Sequence, residues 1–375
     1  MIYKDFKDKK ISWLGLGCMR FPTVNGDLGN VDMEKTAEIF DLAIKNGVNY
    51  FDTAWGYHNG QSEIVTGKIL SKYPRESYFL ADKFPGYDLA NMDKVEEIFE
   101  QQLQKTGVEY FDFYLIHNVC EKNVNQYLDE KYRIFKHLVA QKEQGRIRHL
   151  GFSAHADLPD LKRFLEKYGY AMEFCQLQIN WVDWEFQRAK EKVALLKEYN
   201  IPVWVMEPVR GGKLARLLPK HEERLKALRP NESVAAWCFR FLQTALDATV
   251  VLSGMSDLSQ VADNLKTCAV EQPLTAEELQ TLREITAEMM VDSTPCTACR
   301  YCTEYCPMGL NIPELLELYN EHKFSNGGFI SPMRIGVLPE DKRPSACLGC
   351  RACESVCPQN IKISEELAAY AERLK

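Results

Sequence analysis

The sequence predicts an α/β fold, a (β/α)8 barrel followed by a smaller, mainly α-helical, cysteine-rich domain. Three observations carry the prediction. Eight short apolar runs rich in β-formers recur between residues 13 and 254, and longer segments of helical period separate them. Eight of the thirteen cysteines fall in two groups after position 295. The length of 375 residues suits one barrel of about 250 residues plus a second module.

The strands are expected at WLGLGC (13–18), VNYFD (48–52), YFLADK (78–83), FDFYLIH (111–117), IRHLGFS (147–153), EFCQLQI (173–179), PVWVM (202–206) and TVVLSG (249–254). Helices such as 31–47 and 91–107 lie between them, with apolar residues every three or four positions and a closing Gly. Residues 275–290 read as one more helix, with Thr275 as N-cap and Glu278 completing a capping box. The barrel is therefore expected over 1–285 and the second domain over 286–375. Within the second domain, 312–323 reads as a helix. The Pro- and Gly-rich stretch 324–344 reads as an irregular connector.

Composition excludes some functions. A formal charge of −7 argues against binding nucleic acid, which draws its affinity from clustered Lys and Arg. The N-terminus MIYKDFKDKK has alternating charges and no apolar stretch, so neither an export signal nor a membrane span is expected and the protein reads as cytoplasmic. In a reducing compartment, thirteen cysteines point to metal or redox chemistry. Five are scattered (Cys18, Cys120, Cys175, Cys238, Cys268) and read as small buried apolar residues.

The other eight are ordered. Cys296, Cys299, Cys302 and Cys306 precede Pro307 in the pattern C-x2-C-x2-C-x3-C-P, and Cys347, Cys350, Cys353, Cys357 and Pro358 repeat it. In two-cluster proteins the first three thiolates of such a run hold one [4Fe–4S] cubane and the fourth ligates the other. The expected sets are thus crosswise: Cys296, Cys299, Cys302 and Cys357 for one cluster, Cys347, Cys350, Cys353 and Cys306 for the other. Zinc is the alternative, but a tetrahedral site built from two CxxC pairs leaves the further CxxC step of each run without a use. The repeat resembles bacterial ferredoxins. With residues 307–346 between the runs, it looks more like the α-helical ferredoxin modules fused to flavoenzymes and succinate dehydrogenases.

Barrel enzymes place chemistry after the C-terminal ends of their strands. There the sequence has Asp52 and Tyr57 after the second strand, Lys83 at the end of the third and His117 at the end of the fourth. A Tyr hydroxyl, with a pKa near 10, is useful at neutral pH when a cation stabilises its anion. Lys83 can be that cation, Asp52 can hold Lys83, and His117 can orient a substrate carbonyl. Each residue alone has an ordinary structural reading; their placement after consecutive strands carries the inference.

Residues 1 to about 285 resemble an aldo/keto reductase. The motifs FDTAWGY, the DK at 82–83, LIH at 115–117, GFS at 151–153, QLQIN at 176–180 and SGMSDLSQVADNL at 253–265 stand in family order. The resemblance implies hydride transfer between nicotinamide and a carbonyl carbon, with Tyr57 as acid/base and Lys83, Asp52 and His117 in support. It also implies that Ser153 and Gln176 meet the nicotinamide, that Arg210 and Gly212 lie near the pyrophosphate, and that Gly254, Ser256, Gln260 and Asn264 lie at the adenosine end. Ala154 stands where the family usually has an Asn, Met206 where an aromatic ring often stacks, and Glu207 where a Ser is usual. Gly254 and Gln260 replace the basic residues that commonly clasp a 2′-phosphate, so NADP(H) and NAD(H) both stay open.

The expected partners are a small-molecule carbonyl substrate and a redox protein. The expected function is an NAD(P)-dependent carbonyl reductase with two clusters for electron transfer. Two alternatives stand beside it. One is a reductase fed by the clusters, with flavin or no nucleotide, although no flavin motif is visible; the other is a non-catalytic redox sensor or electron carrier. Trp55, Trp181 and Trp184 are candidates for lining an apolar pocket.

Overall fold

A computed structural model describes every residue except Thr297. Its contacts divide the chain into two compact units, Met1–Leu282 and Arg283–Lys375.

The first unit opens with an antiparallel hairpin, β1 (Tyr3–Phe6) and β2 (Lys9–Ser12), which the sequence reading did not anticipate. The eight expected strands follow as β3 (Leu14–Gly17), β4 (Tyr50–Asp52), β5 (Phe79–Phe84), β6 (Phe111–Val119), β7 (Ile147–Ala154), β8 (Cys175–Gln178), β9 (Val203–Met206) and β10 (Val250–Ser253). They pair in parallel and in sequence order, and β10 closes on β3. Near-continuous apolar sequence is what a parallel sheet needs, because it is covered on both faces.

The N-terminal hairpin fills one end of this barrel. Phe6 and Ile11 belong to one buried cluster with Phe113, Trp204 and Val250. The Phe6 ring meets Trp204 edge-on at 5.0 Å and His149 at 5.1 Å. Those partners lie near the starts of their strands, so the hairpin covers the N-terminal end and the opposite mouth is where the strand-end residues gather.

Helices Ser62–Leu70 and Val95–Thr106 approach closely at Gly67, where an added Cβ would fall on the backbone carbonyl of Thr106. Ala is about 1 kcal/mol better than Gly in a helix interior, yet backbone cannot give way as a side chain can. Gly67→Ala is therefore expected to lower the unfolding free energy by about 1–3 kcal/mol, an overpacking cost, measurable by urea titration.

The expected capping box is present. The Glu278 carboxylate accepts from Thr275 N at 2.8 Å and the Thr275 hydroxyl accepts from Glu278 N at 3.3 Å, opening the helix Ala276–Met289. In the second unit, helices Ile312–Ser325 and Ile363–Arg373 pack through Leu315, Leu316, Tyr319, Leu367 and Tyr370. The stretch 324–344 is not the irregular connector expected from its Pro and Gly content: Ile330–Val337 is helical. Pro332 falls in the first turn, where backbone N–H groups have no intrahelical acceptor and the missing donor costs little. Among the described residues no helix is long and apolar enough to cross a membrane.

Candidate active site

The barrel mouth brings the four reactive residues together. Asp52 ends β4 and Lys83 lies on β5, both almost wholly buried. Lys83 Nζ donates to Asp52 Oδ1 and to Thr53 O, each at 2.6 Å, and lies 3.4 Å from the Tyr57 hydroxyl. Burial works against the charge on Lys83, but Asp52 and Tyr57 raise its pKa overall, so it stays an ammonium. Burial also pushes the Tyr57 hydroxyl up, and Lys83 draws it back. Tyr57 is thus held as a neutral proton donor whose anion already has a counter-ion in place.

His117 reaches the same space through an irregularity. The β6–β7 register shifts between Ile116 and Val119, so His117 and Asn118 bulge, with Asn118 at φ +57°. Asn118 N donates to the Ser153 hydroxyl at 2.8 Å, which pins the bulge. Such bulges re-aim a side chain. The His117 ring stands edge-on to Tyr57 at 6.1 Å and to Tyr87 at 5.3 Å. Burial, and then the charge of Lys83, drive its pKa well down, so the imidazole is neutral. Its buried Nδ1 has no hydrogen-bond partner among the described residues.

Two supporting groups escaped the sequence reading. His58 follows Tyr57 at φ +53°; its Nε2 accepts from Phe21 N at 3.0 Å while Nδ1 faces Leu28 O at 3.1 Å. A carbonyl on one nitrogen and an amide on the other fix a neutral tautomer with the proton on Nδ1, and that ring anchors the Tyr57 turn. On the reverse side of β5, Asp82 accepts from Lys83 N at 2.8 Å and from Gln102 Nε2 at 2.9 Å; Gln102 also donates to Glu63 at 3.0 Å. The alternation of a strand was the available signal, since it sends Asp82 away from the mouth and into the sheet–helix layer.

The residues expected to meet a nucleotide lie around the same rim. Ser153 and Gln176 are buried neighbours in register on β7 and β8. Past β9, Gly211 (φ +64°) and Gly212 (φ +94°) are consecutive left-handed residues, and nothing lies within 4 Å of a Cβ at Gly212. That open cradle fits a closely approaching anion. Arg210 is buried, and its Nε donates to both oxygens of Asp183 at 3.0 and 3.1 Å. After β10, Ser256 N donates to Gln260 Oε1 at 2.8 Å and Asn264 Nδ2 to Ser253 Oγ at 2.9 Å. Gly254 packs against Arg20 instead. Of the tryptophans, Trp181 is buried, Trp184 stands edge-on to Phe241 and Trp55 lies under the Lys105 ammonium.

In the second unit the cysteines sort crosswise. One cavity of about 310 Å³, counting space open to solvent, is lined by Cys296, Cys299, Cys302 and Cys357; another of about 320 Å³ is lined by Cys306, Cys347, Cys350 and Cys353. Matched backbone makes the two alike: Ala298 and Gly349 before the second cysteines, and Arg300 and Arg351 after them, all have positive φ. Four cysteines lining each space larger than one ion, with apolar neighbours such as Leu316, Ile361, Leu310 and Leu367, fit a cubane. The five scattered cysteines are all buried; burial pushes the Cys18 thiol up to about 12 and that of Cys120 to about 11, as expected of inert packing residues.

Comparison with known proteins agrees with this geometry. The chain is 25% identical to the NADH-specific methylglyoxal reductase of Escherichia coli over 304 residues, covering 69% of this chain and 90% of that one. It is 25% identical to the uncharacterized oxidoreductase YqkF of Bacillus subtilis over 313 residues, covering 75% and 94%. The holo form of the aldo-keto reductase AKR11C1 from Bacillus halodurans superposes with a TM-score of 0.58 at 25% identity, covering 76% and 96%. The 4Fe-4S dicluster domain family matches residues 295–361, and the aldo/keto reductase family matches residues 13–287. With three-quarters of its length inside that second match, the chain belongs to the aldo/keto reductase family and carries a 4Fe-4S domain C-terminal to the barrel in sequence.

Proposed function

We propose that the protein reduces an aldehyde or ketone with a hydride from NAD(P)H, and that two [4Fe–4S] clusters link this barrel to an electron-transfer partner. The observation that carries the reading is the Lys83 ammonium between Asp52 and the Tyr57 hydroxyl. The barrel, 1–285, would do the chemistry and 286–375 would hold the clusters, in a cytoplasmic protein.

Bound NAD(P)H would supply the hydride. Ser153 and Gln176 would position the nicotinamide, Arg210 and Gly212 would lie near the pyrophosphate, and Gly254, Ser256, Gln260 and Asn264 would hold the adenosine end. The neutral His117 would donate a hydrogen bond to the substrate carbonyl and set its angle. Tyr57 would hand its proton to the carbonyl oxygen as negative charge develops there, and Lys83, fixed by Asp52, would stabilise the phenolate that remains. NAD(H) use has support in the name of the E. coli relative; NADP(H) remains the other candidate. The two cysteine-lined cavities support two clusters, ligated by Cys296, Cys299, Cys302 and Cys357 and by Cys306, Cys347, Cys350 and Cys353.

A cubane passes single electrons and a nicotinamide passes a hydride, so two clusters together could match one two-electron event. The test is anaerobic purification, assay of iron and sulfide, and titration with NADH and NADPH while following cluster absorbance. About eight irons per chain, with bleaching on nucleotide addition, is the expected result. Zinc in place of iron would sink the cluster reading. Iron without bleaching by either nucleotide would sink electron exchange between the two halves.

A further inference from the structure

Arg20, exposed in the loop after β3, lies against Gly254 and Gly211, two of the glycines at the rim past β9 and β10. A Cβ at Gly254 would meet Arg20 Cγ at 2.6 Å and Cβ at 2.9 Å, so the missing side chain at 254 is what makes room for Arg20. A Cβ at Gly211 would lie 3.4 Å from an Arg20 guanidinium nitrogen and 3.6 Å from Glu207 Oε2. Ser256 Oγ donates to Arg20 O at 2.7 Å, tying the loop in place. Gly211 and Gly254 follow β9 and β10, the seventh and eighth barrel strands, whose loops frequently build phosphate sites in this architecture.

Glu207 makes the site unusual. It holds φ +56°, a conformation that costs a residue with a Cβ about 1–2 kcal/mol, and an acidic residue beside a diphosphate repels it. The charged groups facing it are Arg20, Asp183 and Arg210. The Arg20 guanidinium and Glu207 Oε2 flank the same side of Gly211, and of the cations around Glu207 it is Arg20 that offsets its burial most. Burial raises the Glu207 carboxyl, and Arg20 and the Gly211 amide pull it back.

We propose that Arg20 is the cation that binds the dinucleotide's diphosphate, and that Glu207 takes up a proton from solvent when the diphosphate claims Arg20. The proposal rests on the reading of the barrel as a nicotinamide nucleotide site. Losing its counter-ion and gaining an anionic neighbour both raise the Glu207 pKa on binding. The complex therefore binds more protons than the free protein between the two pKa values, and affinity falls as pH rises through that window, by at most about tenfold per pH unit.

The test is calorimetric titration of the iron-loaded full chain with NADH, across neutral pH and in buffers of different ionisation enthalpy. NADH is the probe because it lacks the 2′-phosphate, which itself ionises near about pH 6. The wild type should take up protons on binding. Arg20→Gln should weaken NADH roughly ten- to a hundredfold, Arg20→Lys should recover part of that loss, and Glu207→Gln should bind with neither proton uptake nor the pH slope. Wild-type affinity and uptake in Arg20→Gln would overturn the proposal. Weakened binding of NADPH but not NADH would put Arg20 at the 2′-phosphate and overturn the diphosphate assignment. Failure of the wild type to bind either nucleotide would instead refute the nicotinamide reading itself.

Discussion

Tyr57→Phe should lower kcat for simple aldehydes by about 10²- to 10⁴-fold while leaving nucleotide affinity close to that of the wild type. The substitution removes one oxygen and leaves the ring, so the edge-on contact with His117 at 6.1 Å is kept. What disappears is the only hydroxyl within 3.4 Å of Lys83 among the hydrogen bonds of the described residues. The check pairs steady-state kinetics with nucleotide titration. A variant that keeps wild-type turnover would remove Tyr57 from the chemistry and leave the barrel as a binding or sensing module. Lys83→Met separates the two roles further. Tyr57 donates its proton only while protonated, so activity falls as pH rises through its pKa. Lys83 lowers that pKa against the effect of burial, so its loss should move the alkaline limb of the pH profile upward even as the rate drops.

The second large effect concerns iron. If the ligand sets are crosswise, Cys299→Ser combined with Cys357→Ser damages one cluster, and about four of eight irons should remain. Cys350→Ser combined with Cys357→Ser damages both, and little iron should remain. Sets confined to each run reverse the two results, so iron analysis of two double variants decides the wiring. Cys299 and Cys350 are both exposed and correspond in the two runs, which makes the variants a matched pair.

The strands were legible because a parallel barrel asks for apolar β-formers at regular intervals, and all eight fell where the runs lay. Thr275 and Glu278 were legible because a capping box is local. The β1–β2 hairpin was not, since four-residue strands with charges such as Lys4, Asp5, Lys9 and Lys10 carry little apolar signal. The helix Ile330–Val337 was hidden by Pro332, which is a breaker in mid-helix but not in a first turn. At the mouth, Tyr57, Lys83, Asp52 and His117 could be read from strand ends, because the fold aims those positions at one place. Arg20 and His58 could not, because their relevance depends on what lies across a gap: a glycine's empty side, a loop carbonyl.

The hairpin covers the N-terminal end of the barrel and leaves Tyr57 at the other. Tyr57 stands among the rim loops, while Phe6, Phe113 and Trp204 hold the opposite floor shut. Durability and reactivity are thereby assigned to opposite ends of one cylinder. Changes at the floor should be felt in melting temperature and not in substrate preference, and the rim loops are left free to diversify without loosening the base on which they stand.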